Sequence, residues 1–462
     1  MQVYSFTSHA PALRLALLLL AFGLLSSTPA HADDDPSLAT RFQTLIGNTD
    51  PAHEDWSLHA QGTEIIQGYP SFPAAYSGAN SLSPESQWKN TSTATLFLGR
   101  RLWQGGEVYY DRELYEGKGL SDTFGAAGFP NGEANKAGSW PIKTNGARLF
   151  LRQVIGLGGP TEQIAGDQNQ LAGTQDISRI TFTAGKFSPS DIFDNNSYSH
   201  DPRTQFMDWS LVESAAWDYP ANSRGYTNGV SVEYNQQQWT LRYGAFMEPD
   251  EPNESDLVFH GLNNIGQVAE LEERYTIAGN PGKTHFLLFY NRNREADFSA
   301  ALGAADVNAA LIEARSYGGS KFGFAISNEQ QWADGIGTFA RVSANDGRTE
   351  EWTFTQVDES AAVGASLDGK RWGEPGDVWG IAGVINAISA DQRKFLEQGG
   401  VGLIVGDGRL SYSPEMILET YYSIRITSYM SLSPDYQFIA NPGYNTDRGP
   451  VSIFAARLHL GF

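Results

Sequence analysis

Phe454-Ala455-Ala456-Arg457-Leu458-His459-Leu460-Gly461-Phe462 ends the sequence, and its reading decides the fold. Alternation with a period of two puts Phe454, Ala456, Leu458, Leu460 and Phe462 on one face and Arg457 and His459 on the other. Such a segment suits a strand with lipid on one side and water on the other. Taken alone, it suits a half-buried strand of a soluble sandwich equally well, so the rest of the chain must choose.

The opening residues narrow the choice. Arg14, the apolar run from Leu15 to Leu25 and then Pro29-Ala30-His31-Ala32 read as a secretory signal peptide, residues 1–32, cut after Ala32. The run is too short to span a bilayer, which takes about 20 apolar residues, and no later stretch is longer. A helical inner-membrane protein is therefore excluded, leaving an exported soluble protein or a barrel. Cysteine is absent, which removes disulfides and a lipid anchor on cysteine. The excess of 53 acidic over 32 basic residues argues against a nucleic-acid partner. A content of 49 Gly, 11 Trp, 20 Tyr and 25 Phe fits a β-rich chain with many turns, its aromatics available for membrane girdles or sugar platforms. Residues 33–55 form a short segment ahead of the barrel. Leu38, Phe42, Leu45 and Ile46 have helical spacing there, and a short helix or a plain tail both fit.

From Trp56 to Phe462 the pattern gives about sixteen short strands. They begin with 56–67, 94–102, 107–115, 147–154 and 179–187, and the alternation continues to 451–462. Arg148 and Arg152 share one face while Leu149 and Leu151 share the other, and Trp239-Thr240-Leu241-Arg242-Tyr243 divides in the same way. An arginine at the lipid midplane costs about 2–4 kcal/mol, so the charged face is the lumen. Connections alternate between short turns (104–106, 235–237, 278–282, 333–335) and long stretches (68–91, 117–144, 188–226, 248–265, 292–320, 388–414). A transmembrane barrel with both termini in the periplasm requires that order. The stretch 155–178 is the exception, being long on the short side. Residues 188–226, rich in hydrogen-bonding side chains yet apolar enough to pack, are read as a loop folded inward to constrict the lumen.

Four groups of motifs resemble the carbohydrate-selective porin family known as OprB: Gly119 to Ala134, Arg148-Leu149-Phe150-Leu151-Arg152-Gln153, Asp191 to Asn196 with His200-Asp201-Pro202-Arg203, and Asp435 to Pro450. The resemblance runs from about Trp56 to Phe462. It implies an all-β, sixteen-stranded antiparallel barrel in the bacterial outer membrane that passes glucose and similar sugars down their gradient. A general porin, or one for organic acids or anions, on the same barrel is the alternative. The expected partners are permeating sugars, outer-membrane lipid with lipopolysaccharide and the barrel assembly machinery, and both a monomer and a homotrimer stay open. No cofactor or metal is expected, and no enzyme: His200, Asp201, Asp191 and Asp194 lack zinc spacing, and no G-x-S-x-G elbow occurs.

A sugar offers hydroxyls at its edge and C–H groups on its faces, so polar and aromatic side chains together can replace its water. Candidates for the substrate pathway are Glu133, Arg148, Arg152, Asp194, Asn195, Asp201 and Arg203 as polar groups, with Tyr198, Trp209 and Trp217 as stacking partners.

Overall fold

The computed structural model describes residue 50, residues 52–134 and residues 139–462. The signal peptide and residues 33–49 of the segment read as a helix or tail lie outside them. Among the described residues, seventeen strands share one antiparallel sheet; sixteen form its wall, and the seventeenth, Leu257–Val258, only edges one of them. The first eight wall strands are β1 (Trp56–Tyr69), β2 (Gln87–Trp103), β3 (Gly106–Gly117), β4 (Ser139–Gly156), β5 (Arg179–Phe187), β6 (Thr227–Asn235), β7 (Trp239–Pro249) and β8 (Ile265–Ile277). The second eight are β9 (Asn280–Asn293), β10 (Gly319–Ala333), β11 (Ile336–Asn345), β12 (Glu359–Asp368), β13 (Val378–Ala387), β14 (Glu415–Thr427), β15 (Met430–Ala440) and β16 (Val451–Gly461).

Every wall strand pairs with its sequence neighbours, and β16 returns to β1 in a register running from Gln61↔Gly461 to Gly68↔Phe454. Closure leaves no unpaired strand edge, the condition for backbone to cross hydrocarbon. Among the described residues no helix is long and apolar enough to cross a membrane.

The final segment behaves as its alternation requires. Phe454 stands on the outer wall, 46% exposed, whereas Arg457 is buried inside and donates from Nη1 to the carbonyls of Pro202 (2.8 Å) and Gln205 (2.6 Å). Leu149 and Leu151 lie outside at 55% and 49% exposure, with Arg148 and Arg152 within the lumen. Arg242 likewise turns inward to Glu233, Glu270 and Glu272. Phe462 extends the closing ladder by exchanging two 3.0 Å backbone bonds with Ala60. Deleting Phe462 removes that pair and the terminal aromatic together. The expected outcome is less heat-modifiable barrel in the membrane fraction at unchanged export, read by gel mobility; unchanged assembly would contradict it.

Both ends of the wall, Trp56 and Gly461, fall at one rim, together with the turns 104–105, 236–238, 278–279, 334–335, 369–377 and 428–429. The opposite rim carries the longer loops, including 188–226 and 294–318. Three boundaries differ from the sequence reading by four residues or more. β2 and β4 start earlier, at Gln87 and Ser139, because ladder bonds hold their polar first halves where hydropathic alternation fails. Asn280-Pro281-Gly282 belongs to β9 and not to the turn. The long exception carries a small sheet of its own, Thr161–Ile164 against Gly173–Asp176.

Candidate functional site in the lumen

The loop 188–226 crosses the lumen, and side chains from seven wall strands hold it there. Glu113 of β3 and Arg148 of β4 pair with Arg203 and Asp191 of the loop. Glu270 of β8 accepts from the Asp194 N–H (2.7 Å), Ser327 of β10 from the Asn196 amide (3.2 Å) and Glu329 of β10 from the Ser197 N–H (2.6 Å). Arg341 of β11 donates to the Ser199 carbonyl (2.6 Å), and Glu419 of β14 accepts from the Asp208 N–H (2.9 Å). Arg457 of β16 completes the set. Most of these links satisfy a buried backbone or side-chain group that would cost about 1–3 kcal/mol if left unpaired. A loop secured at so many points is a fixed constriction and not a swinging lid.

Aromatic packing joins these anchors in holding the loop. Trp209, in the short helix α1 (Trp209–Val212), stacks on Phe129 at 5.5 Å, and Tyr219 stacks on Phe354 at 4.8 Å. Burial, then the neighbouring Glu419 carboxylate, holds Asp208 at the start of α1 well above the ordinary carboxylate range.

Beside the loop lies a chamber of about 410 Å³. Its wall is Phe97, Phe150, Phe187, Thr183, Arg148 and Arg152; the loop contributes Asp191, Ile192, Asn195, His200 and Arg203; residues 167–170 close the side toward the termini. Arg148 donates from Nε to Asp191 Oδ2 (2.7 Å) and from Nη1 to Asp111 Oδ2 (3.1 Å), its guanidinium 5.2 Å from the Tyr226 ring centre. Arg152 lies 5.0 Å from the Tyr109 ring centre and donates to the Asn169 carbonyl at 2.9 Å. Arg203 bridges Glu113 and Glu133, each at 3.1 Å. Burial, then the Arg341 charge, lowers the His200 imidazole below its usual range, keeping that ring neutral. Burial disfavours the Asp201 carboxylate, but Arg203 and its backbone N–H outweigh it and hold Asp201 low.

The ten residues singled out in the sequence divide into three groups. Arg148, Arg152, Asn195 and Arg203 meet at the chamber. Tyr198 stands apart, between two wider cavities of about 680 and 1020 Å³ nearer the terminal rim. Gly337 makes room for its ring, since a Cβ there would lie 2.0 Å from Tyr198 Cε1. The remaining five serve as loop supports: Glu133 pairs with Arg203, Asp194 accepts from Ser214 Oγ at 2.8 Å, and Asp201 accepts from the Arg203 N–H at 3.0 Å. Trp209 and Trp217 are 6% and 2% exposed within the packed core, so neither presents a face to lumen water. The sequence reading missed Phe97, Phe150 and Phe187 as the chamber's aromatic side. Their inward register, Phe150 falling between Arg148 and Arg152, was the available signal.

The family model described as "Carbohydrate-selective porin, OprB family" matches residues 79–462. Among solved structures, OprB of Pseudomonas putida at high pH aligns at a TM-score of 0.67 and 17% identity, covering 88% of this chain and 94% of that one. The outer membrane channel DcaP of Acinetobacter baumannii aligns at a TM-score of 0.48 and 10% identity, over 89% of this chain and 99% of that one. No curated protein matches the chain.

Proposed function

Because the chain belongs to the OprB family of carbohydrate-selective porins, outer-membrane channels, we propose that it passes glucose and similar small sugars into the periplasm by passive diffusion. In this reading residues 1–32 direct export and are removed, the terminal rim faces the periplasm, and the long loops face outward.

One observation carries the choice of solute. The chamber gathers the guanidinium groups of Arg148, Arg152 and Arg203 and the Asn195 amide around one cavity, beside the nearly buried rings of Phe97, Phe150 and Phe187. Planar forks of donors meet adjacent hydroxyls of a sugar, and a neutral amide beside them donates and accepts in turn. The arginines are already partly neutralised by Asp111, Asp191, Glu107, Glu113 and Glu133, so a neutral solute meets no strong net field. Exchange of modest contacts for water keeps binding weak enough for release.

Single-channel recording tests it. Glucose should block the ion current in a concentration-dependent way, and liposomes carrying the protein should swell faster in glucose than in amino acids of similar size. The three arginines also favour a second reading, an organic-acid pore. Block by succinate without block by glucose would establish that reading and reject the sugar.

A further inference from the structure

The connection that breaks the short-turn pattern reaches the same chamber, and we propose that residues 157–178 form the pore's second jaw. In this role the insert is a rigid floor that limits solute size together with the inward loop and supplies amides to the solute. The identity of the solute rests on the sugar reading above; the size limit does not.

Four consecutive residues of the insert, Asp167 to Gln170, line the chamber from the terminal side, facing Asp191, Asn195, His200 and Arg203 of the inward loop. The two short strands lift this tip, and a bridge between Asp167 and Gln170, with Asn169 at φ +55°, folds it back. The tip is bolted in place. Leu171 is buried in the core, and its N–H donates to the Tyr109 hydroxyl at 3.1 Å. The Ala172 N–H donates to Glu54 Oε2 (2.9 Å), while the Ala172 carbonyl accepts from the Glu54 N–H (3.0 Å) and from Arg101 Nη2 (3.1 Å). Gln168 donates to Gln61 Oε1 on β1 at 3.2 Å.

Asn169 joins the insert to the charged side of the chamber. Its carbonyl accepts from Arg152 at 2.9 Å, and its side-chain amide donates at 2.9 Å to Asp111, the carboxylate that also holds Arg148. The insert thus positions two of the three chamber arginines. Of its four lining residues, Gln168, Asn169 and Gln170 carry neutral amides that both donate and accept, and Asp167 adds one carboxylate, an acceptor for hydroxyls. A turn serving only to reverse the chain needs two residues, as at 104–105 and 278–279; this one is far longer, and its tip reaches the chamber.

Replacing residues 165–172 with Asn-Gly, which joins Ile164 to Gly173 as a tight hairpin, tests the proposal by single-channel conductance, glucose block and liposome swelling over sugars of increasing size. The expected result is a several-fold rise in conductance, a several-fold weaker block and entry of larger sugars. The double substitution Gln168→Ala, Gln170→Ala, which keeps the backbone, should weaken glucose block with conductance near that of the unaltered protein, and it decides the matter if the shortened chain does not assemble. Unaltered conductance and block in an assembled variant would overturn the second jaw. If glucose fails to block the unaltered protein, the sugar reading falls, while a rise in conductance on shortening still supports the size limit.

Discussion

Arg203→Ala will loosen the inward loop and turn the pore toward cations. Arg203 bridges Glu113 and Glu133 at 3.1 Å each, and both carboxylates are 1% exposed. Taking the cation from a buried network leaves uncompensated charge, at a cost of about 3–5 kcal/mol. The local escape is for water to enter and the loop to shift, which exposes two carboxylates to the lumen. We therefore expect higher conductance, a reversal potential moved toward cation preference in a salt gradient, and weaker glucose block. The barrel itself should still form, because its closed ladder runs through backbone groups and not through this bridge. Arg203→Lys should rescue incompletely, since one ammonium cannot reproduce the two divergent donors. Arg152→Ala is the comparison. Its ion pair with Glu107 is 4.0 Å long and it keeps one carbonyl bond to the insert, so conductance should change less while glucose block still weakens. Identical currents from Arg203→Ala and the unaltered protein would show that the bridge has no part in the constriction.

The wall of the barrel was legible because lipid imposes a rule on every second residue. Leu149, Leu151, Leu241 and Tyr243 stand outside, and Arg148, Arg152 and Arg242 inside, as the alternation demanded. The rule lapses where strands carry polar outward residues. In β2, Asn90 and Ser92 both donate to Glu64 of the neighbouring strand, and the pattern there reads as a loop. The interior was less legible, because inward polar positions carry no mark separating a group that meets water from one that holds a loop. Trp209, Trp217 and Asp194 looked like lumen groups by chemistry and are packing and anchoring groups by position. Nor does an acidic excess in the composition say where the charge lies. Carboxylates such as Glu113, Glu270, Glu415 and Glu419 are buried along the lumen wall. Pairing between residues more than two hundred positions apart, such as Arg457 with Pro202, leaves no local trace in a sequence.

Glu415→Ala with Glu419→Ala should release the backbone at 127–128 and at 207–208 from the wall, and it tests whether carboxylates or aromatic packing fix the constriction. Glu415 accepts from the N–H groups of Ala127 (3.0 Å), Gly128 (2.8 Å) and Gly443 (2.7 Å), and Glu419 from those of Met207 (2.5 Å) and Asp208 (2.9 Å). Both side chains are fully buried, so truncation orphans backbone donors at about 1–3 kcal/mol each until water reaches them. Hydrogen exchange should show loss of protection at residues 127, 128, 207, 208 and 443, with the ladder amides of β13 to β15 unchanged. Single-channel records should become noisy, with transient wide openings. Glutamine at both positions keeps one acceptor oxygen per side chain and should fall between the two. If protection at residues 127 and 208 survives the double alanine substitution, then the stack of Phe129, Trp209, Tyr219 and Phe354 holds the loops by itself, and the buried carboxylates set only their register on the wall.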